Sequence, residues 1–176
     1  CLPDEMLAML RRLREESGKD IWIELGLQSI HETAAERIHR GYPLAVFDNA
    51  YHRLKAADFT VIVHVILGFP WESEDDMLAT IRYLSALEPT LDGIKLQLLH
   101  VLRGTKLGRM YEAEPFRTLT LDEYCTLVVQ CLRLLPPDTV IHRITGDGPK
   151  RLLLAPLWSA NKKLVLNTLN RAIREA

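Results

Sequence analysis

The chain has 176 residues, 48% hydrophobic and 26% charged, with a formal net charge of −1 at pH 7. This composition excludes disordered, collagen-like and membrane classes, and 22 Lys plus Arg against 23 Asp plus Glu gives no global pull toward nucleic acid. A chain of this length buries roughly 70% of the surface its unfolded form exposes, so a core can form without disulfide staples.

Leu2 to Ser17 reads as an amphipathic helix, with Pro3, Asp4 and Glu5 in its first turn and Met6, Leu7, Leu10 and Leu13 along one face. Gly18 stops it. Ile21-Trp22-Ile23 opens a strand that ends in Leu25-Gly26-Leu27-Gln28, and helical spacing returns from His31 to Arg40. Pro43 starts another helix, through Ala57. Thr60 to Leu67, rich in β-branched residues, is a second strand closed by Gly68-Phe69-Pro70. Ser73 caps a helix over Glu74 to Glu88, and a third strand runs from Ile94 to Val101 before the turn at Arg103-Gly104-Thr105. Thr120-Leu121-Asp122-Glu123 is a capping box opening a helix to about Leu135. A fourth strand, Thr139 to Ile144, and a loop at Gly146-Asp147-Gly148-Pro149 precede a last helix, capped by Asn161 and ending near Arg174.

Apolar strands alternating with helices imply an α/β fold with a parallel sheet covered on both faces. Spacing leaves two architectures open, a doubly wound open sheet and half of a barrel. Either one places ligands at the carboxyl ends of the strands, around Gly26 to Ser29, Leu67 to Pro70 and His100 to Thr105. Glu24 and His64 are polar residues inside apolar strands, and each needs a hydrogen-bond partner or a ligand.

His64, His100 and His142 fall on three successive strands, an arrangement a barrel metal hydrolase could use, yet no HxH or HExxH string accompanies them and no metal ligands are assigned. His31, His39 and His52 read as surface helix residues. Cys125 and Cys131 stand six apart on one helix, on different faces, and read as core thiols. The odd count of three cysteines, without a CxxC pair, suits a reducing compartment, so the cytoplasm is the expected location. The longest apolar run, Val61 to Phe69, is interrupted by His64 and falls short of the ~18 residues of a membrane span.

GxGxxG, GxxxxGK[ST] and GxSxG are all absent, which removes the usual dinucleotide, P-loop and nucleophile-elbow readings. Gly146 to Arg151 is either an anion cradle or a Gly-Pro surface turn with solvated basic residues. Arg103, Lys106, Arg109 and Arg117 form a local basic cluster that faces phosphates or solvent.

Several strings, taken in order, carry a family resemblance: Glu24-Leu25-Gly26-Leu27-Gln28-Ser29, Ile38-His39-Arg40-Gly41, His64-Val65-Ile66-Leu67-Gly68-Phe69-Pro70 and Gly93-Ile94-Lys95-Leu96. Together they resemble radical S-adenosylmethionine (radical SAM) enzymes, from Cys1 to about Leu157. Within that superfamily the similarity runs to the bacterial YhcC-like group, which shares look-alikes of Asp92 to Leu96, Ile141-His142-Arg143-Ile144 and Leu154-Ala155-Pro156-Leu157-Trp158. A wider similarity reaches the catalytic subunit of elongator and oxygen-independent coproporphyrinogen oxidase.

The resemblance implies a partial (β/α)6 TIM-like barrel, with residues 1–160 as its C-terminal half and 161–176 as a C-terminal helix. It implies S-adenosylmethionine and a [4Fe-4S] cluster as cofactors, reductive formation of a 5′-deoxyadenosyl radical, an electron donor, and an RNA or small-molecule substrate. The family's CxxxCxxC is absent from this sequence, which starts with Cys rather than Met. The chain is therefore expected to begin inside a longer protein whose preceding segment holds the cluster, and to be inactive by itself. Half a barrel would leave an unpaired edge strand at Ile21, a site of association.

Residue by residue, the resemblance assigns Gln28 to the ribose and Arg40 to the methionyl carboxylate, a role suited to a guanidinium fork. His64 takes a second ribose contact, where coproporphyrinogen oxidase has a carboxylate. Ile66 and Gly68 belong to the strand and turn whose backbone holds adenine. Lys95, His100 and Arg103 are substrate-side candidates at the barrel mouth, with a salt-bridged strand rim as the plain alternative. A barrel-type metal hydrolase and a noncatalytic binding module are the competing readings.

Overall fold

A computed structural model describes residues 2–176; the free thiol expected at Cys1 lies outside the described residues. The apolar periodicities become helices α1 (Asp4–Ser17), α2 (Glu32–Arg37), α3 (Leu44–Lys55), α4 (Glu74–Ser85), α5 (Lys106–Ala113), α6 (Leu121–Leu134) and α7 (Lys162–Arg174). Between them run strands β1 (Trp22–Gln28), β2 (Thr60–Leu67), β3 (Gly93–Leu98), β4 (Val101–Leu102), β5 (Val140–Arg143) and β6 (Leu153–Ala155). Caps form where the sequence places them. Ser73 with Asp76 and Thr120 with Glu123 close capping boxes, Asn161 accepts from the Leu164 N–H, and Gly18 ends α1 at φ 63°.

The main sheet is parallel with order β1-β2-β3-β5. Its register divides the residues by face. Val63, Val65 and Leu67 stand beside Ile94, Leu96 and Leu98, and these six share one core with Phe47, Tyr51, Ile81 and Leu127 from the covering helices. On the opposite face Ile62, His64 and Ile66 stand beside Gly93, Lys95 and Gln97. β1 adds Glu24 and Gly26 to this second face through its pairing with Ile62 and His64. The period of two thus gathers the strands' polar residues on one side. β1 lies at a sheet edge, and the Trp22 that opens it is 58% exposed.

Three elements depart from the sequence reading. The strand expected over Ile94 to Val101 ends at Leu98; Val101–Leu102 instead pair antiparallel with Leu153–Ala155 in a second, two-stranded sheet. Helix α5 is absent from the sequence reading because its text is polar and Gly108 looks like a breaker. A Cβ at Gly108 would stand 2.1 Å from the Leu102 carbonyl oxygen, so the glycine is there for close approach. The helix expected over His31 to Arg40 stops at Arg37, and the chain turns through His39 at φ 57°. Helix α7 seats Val165 and Leu169 in the same core as α6. Among the described residues no helix is long and apolar enough to cross a membrane.

Candidate functional site at the carboxyl ends of the strands

The sheet delivers Gln28 and the Leu67-Gly68 turn to neighbouring positions at its carboxyl edge. β1 does not end regularly there: its register on β2 shifts between Gly26 and Gln28, and Gln28 adopts φ 63°. The Ser29 N–H donates to the Leu27 carbonyl at 2.8 Å, closing a three-residue turn centred on Gln28. Three-residue turns with positive φ are rare and strained for a residue with a Cβ.

The surroundings hold this turn from several sides. Arg40 Nη1 donates to the carbonyls of Leu27 at 3.2 Å and Ser29 at 2.7 Å, Nε donates to Tyr42 O at 2.8 Å, and Nη2 meets Glu32 Oε2 at 3.2 Å. The Arg40 side chain is only 1% exposed. The Tyr42 hydroxyl donates to the Gly26 carbonyl, and its ring lies 5.2 Å from the guanidinium carbon. The Gln28 amide nitrogen donates to Gly26 O and Leu27 O at 3.0 Å, and a Cβ at Gly26 would stand 2.5 Å from that carboxamide. The Ser29 hydroxyl donates to Glu72 Oε1 at 2.5 Å and joins the ends of β1 and β2; burial raises the Glu72 carboxyl above its ordinary range, against the pull of this bond.

Above the turn opens a cleft of about 390 Å³ lined by Gln28, Ile38, His39, Arg40, Tyr42 and Ile66. It brings together three residues expected to bind cofactor: Gln28, Arg40 and Ile66. The Lys106 ammonium, at the start of α5, donates to His39 Nε2 at 3.3 Å and so reaches the rim. Gly68 is buried outside this lining at φ 97°, with its N–H on Met77 Sδ at 3.0 Å.

His64 lies on the same sheet face as Ile66 but belongs to a charged cluster. Its Nε2 donates to Glu24 Oε2 at 2.9 Å, and the Lys95 ammonium donates to Glu24 Oε1. The Lys95 hydrogen bond and then the His64 one hold the Glu24 carboxyl below its usual range, although burial opposes them. Glu24 and His64 thus satisfy each other, as polar strand residues must. Nearby, the Trp22 and His142 rings meet edge to face at 5.4 Å, and a Cβ at Gly93 would stand 2.7 Å from the His142 ring.

The three substrate-side candidates do not converge. Lys95 is paired with Glu24, and Arg103 is paired with Glu112 at 3.4 Å. His100 is half-buried against Gly146 and Gly148, and burial lowers its pKa. Of the basic cluster, Arg117 pairs with Glu123 and Arg109 with the Gly104 carbonyl. His64, His100 and His142 have separate surroundings, and no group of three His, Cys, Asp or Glu side chains placed to hold a metal occurs among the described residues. Cys125 and Cys131 are buried in the core of α6. These residues therefore do not fit an iron–sulfur cluster. Tyr42 escapes the sequence reading because Gly41-Tyr42-Pro43 looks like plain loop, its one signal being proximity to Arg40; His39, read there as a surface helix residue, instead lies beyond the end of α2 and lines the cleft.

Two family models match the chain: one described as Radical SAM superfamily over residues 2–84, and one described as Radical_SAM C-terminal domain over residues 91–175. The uncharacterized protein YtqA of Bacillus subtilis is 38% identical over 173 residues, which cover 98% of this chain and 52% of that protein. Protein YhcC of Escherichia coli is 31% identical over 175 residues, 99% of this chain and 56% of its own. Elongator complex protein 3 of Mus musculus is 29% identical over 140 residues, covering 79% and 26% respectively. The chain spans about half the length of the first two relatives. An archaeal Elp3 structure from Methanocaldococcus infernus superposes with a TM-score of 0.78 at 20% identity, over 97% of this chain and 39% of that one, so the parallel sheet is part of a TIM-like barrel.

Proposed function

The chain belongs to the radical SAM superfamily, and from that premise we propose that it is the C-terminal part of an enzyme whose strand-end cleft receives S-adenosylmethionine. The observation that carries this reading is the convergence of Gln28, Arg40 and Ile66 on one open cleft of about 390 Å³. Its volume lies within the range of small-molecule sites. Gln28 and His64 hydrogen-bond the ribose, and the backbone from Ile66 to Gly68 holds adenine. His64 suits that contact because it lies on the same sheet face as Ile66 and Glu24 engages only its Nε2, leaving Nδ1 for a ligand hydroxyl. Arg40 has one Nη2 hydrogen left for the methionyl carboxylate.

A [4Fe-4S] cluster, for which the described residues offer no fitting set of ligands, would supply the electron for reductive cleavage of S-adenosylmethionine in the whole protein. An electron donor and an RNA or small-molecule substrate complete the expected partners. Lys95, on the sheet face it shares with His64, is the substrate-side residue nearest the proposed ribose contact by register.

Titration of the 15N-labelled chain with S-adenosylmethionine is expected to shift Gln28, Ile38 and Ile66 resonances and spare α7. A response confined to other elements overturns the cleft assignment. In the whole protein, anaerobic reconstitution with a reductant should yield 5′-deoxyadenosine by mass spectrometry. An intact cluster without that product favours a noncatalytic module.

A further inference from the structure

On the sheet face that carries the cleft residue Ile66, one carboxylate serves two neighbouring strands. Gly26 of β1, His64 of β2 and Lys95 of β3 stand in one register row, and Glu24 lies two residues earlier on the same face of β1. From there its Oε2 meets His64 Nε2 at 2.9 Å, and its Oε1 takes the Lys95 ammonium. Gly26 presents no side chain in this row, and the Gln28 carboxamide fills the place instead, 2.5 Å from where a Cβ would stand. Gln28 and His64, the two residues proposed for the ribose, are thereby neighbours across β1 and β2.

His64 has no second fixed point. The contact with Glu24 is the one hydrogen bond its side chain makes among the described residues, and that side chain is 28% exposed. On a strand, χ1 values near 180° and −60° are both common, so an untethered imidazole has two directions open to it. A hydrogen bond to a charged acceptor is roughly twice as strong as a neutral one, enough to select one of them. Lys95 keeps that acceptor charged and in place: its hydrogen bond, ahead of the one from His64, holds the Glu24 carboxyl below the usual range.

We propose that Glu24, anchored by Lys95, is a positioning residue that fixes His64 in the rotamer that meets the ribose of an adenosyl ligand. The proposal rests on the cleft reading above and adds a demand of its own: Glu24 must act on the ligand only through His64.

The probe is 5′-methylthioadenosine, which has adenine and both ribose hydroxyls but no carboxylate, so the Arg40 contact does not enter. Affinities for the chain and its variants are read by NMR titration. Glu24→Ala is expected to weaken the probe by about 3- to 10-fold, the loss of one net hydrogen bond. In a His64→Ala background the same substitution should change affinity by less than about 2-fold. An equal loss in both backgrounds, or no loss in either, overturns the proposal. Side-chain couplings supply a readout without ligand: His64 should show a single χ1 rotamer in the parent and averaging between two in Glu24→Ala. A single rotamer retained in Glu24→Ala refutes the positioning role even if the probe does not bind, whereas averaging there, with a parent chain that binds no probe, supports the hold on His64 and removes the cleft assignment. Glu24→Gln keeps an acceptor oxygen without the charge, so it should give the same pattern with a smaller loss, and it keeps the test usable if Glu24→Ala does not fold.

Discussion

Gly93→Ala tests, with one methyl group, the packing of the sheet face that carries His64 and Lys95. Gly93 is buried on β3, and a Cβ there would stand 2.7 Å from both Cδ2 and Nε2 of His142 and 3.2 Å from the Val140 carbonyl oxygen. The first contact is shorter than side-chain carbons tolerate, so the imidazole must swing away and give up its edge-to-face contact with Trp22 at 5.4 Å. Overpacking of this kind costs about 1–3 kcal/mol, a fall of roughly 2–4 °C in melting temperature for each kcal/mol at this chain length. In a His142→Ala background the clash is gone. There the alanine also restricts the unfolded chain, worth about 0.4–1 kcal/mol, against the remaining contact at Val140, so the substitution should be near neutral. Urea unfolding followed by circular dichroism on the four members of the cycle gives the coupling, expected at about 1–2 kcal/mol. An equal cost of Gly93→Ala in both backgrounds would refute the reasoning, because the penalty could not then come from the ring.

Two carboxyls should show opposite pH signatures. Glu24 is held below its ordinary range of 4.5 by Lys95 and His64, so its contribution to stability is present above that value and is lost as pH falls through the lower, folded one. The stability difference between the parent and Glu24→Gln should therefore shrink below pH 4.5, from about 1 kcal/mol or less for a half-exposed pair, when melting is followed across pH 3 to 7. Glu72 is raised by burial, so its carboxyl favours the fold when protonated and that contribution is lost as pH rises through the folded value. Glu72→Gln is expected to gain on the parent as pH climbs from 4.5 to 7, and a constant difference across that range counts against burial as the cause. The thiols of Cys125 and Cys131 are both pushed up by burial, Cys131 to about 12, so iodoacetamide at pH 8 should leave them unmodified until urea unfolds the chain. Rapid native labelling of either, seen by mass spectrometry, contradicts the packing of α6.

Helix and strand order was legible in the sequence because its signals are short-range. Caps act over three residues, as in Ser73 with Asp76, and the run of β-branched residues from Thr60 to Leu67 declares a strand wherever it is placed. The family strings also marked Gln28, Arg40 and Ile66, which do share one cleft. Tertiary structure alone decided how they meet. Lys95 reaches Glu24 across 71 residues because β2 lies between β3 and β1 and the register sets all three on one face. Gly108 reads as a helix breaker in the sequence, yet its missing side chain is what lets α5 approach Leu102. Arg40 has the donor pattern of a ligand-binding residue in the sequence, but folding directs most of those donors to carbonyls beside Gln28. A residue's chemistry is written in its side chain, whereas the groups it meets depend on strand register and loop path, which bring distant parts of the chain within hydrogen-bond reach.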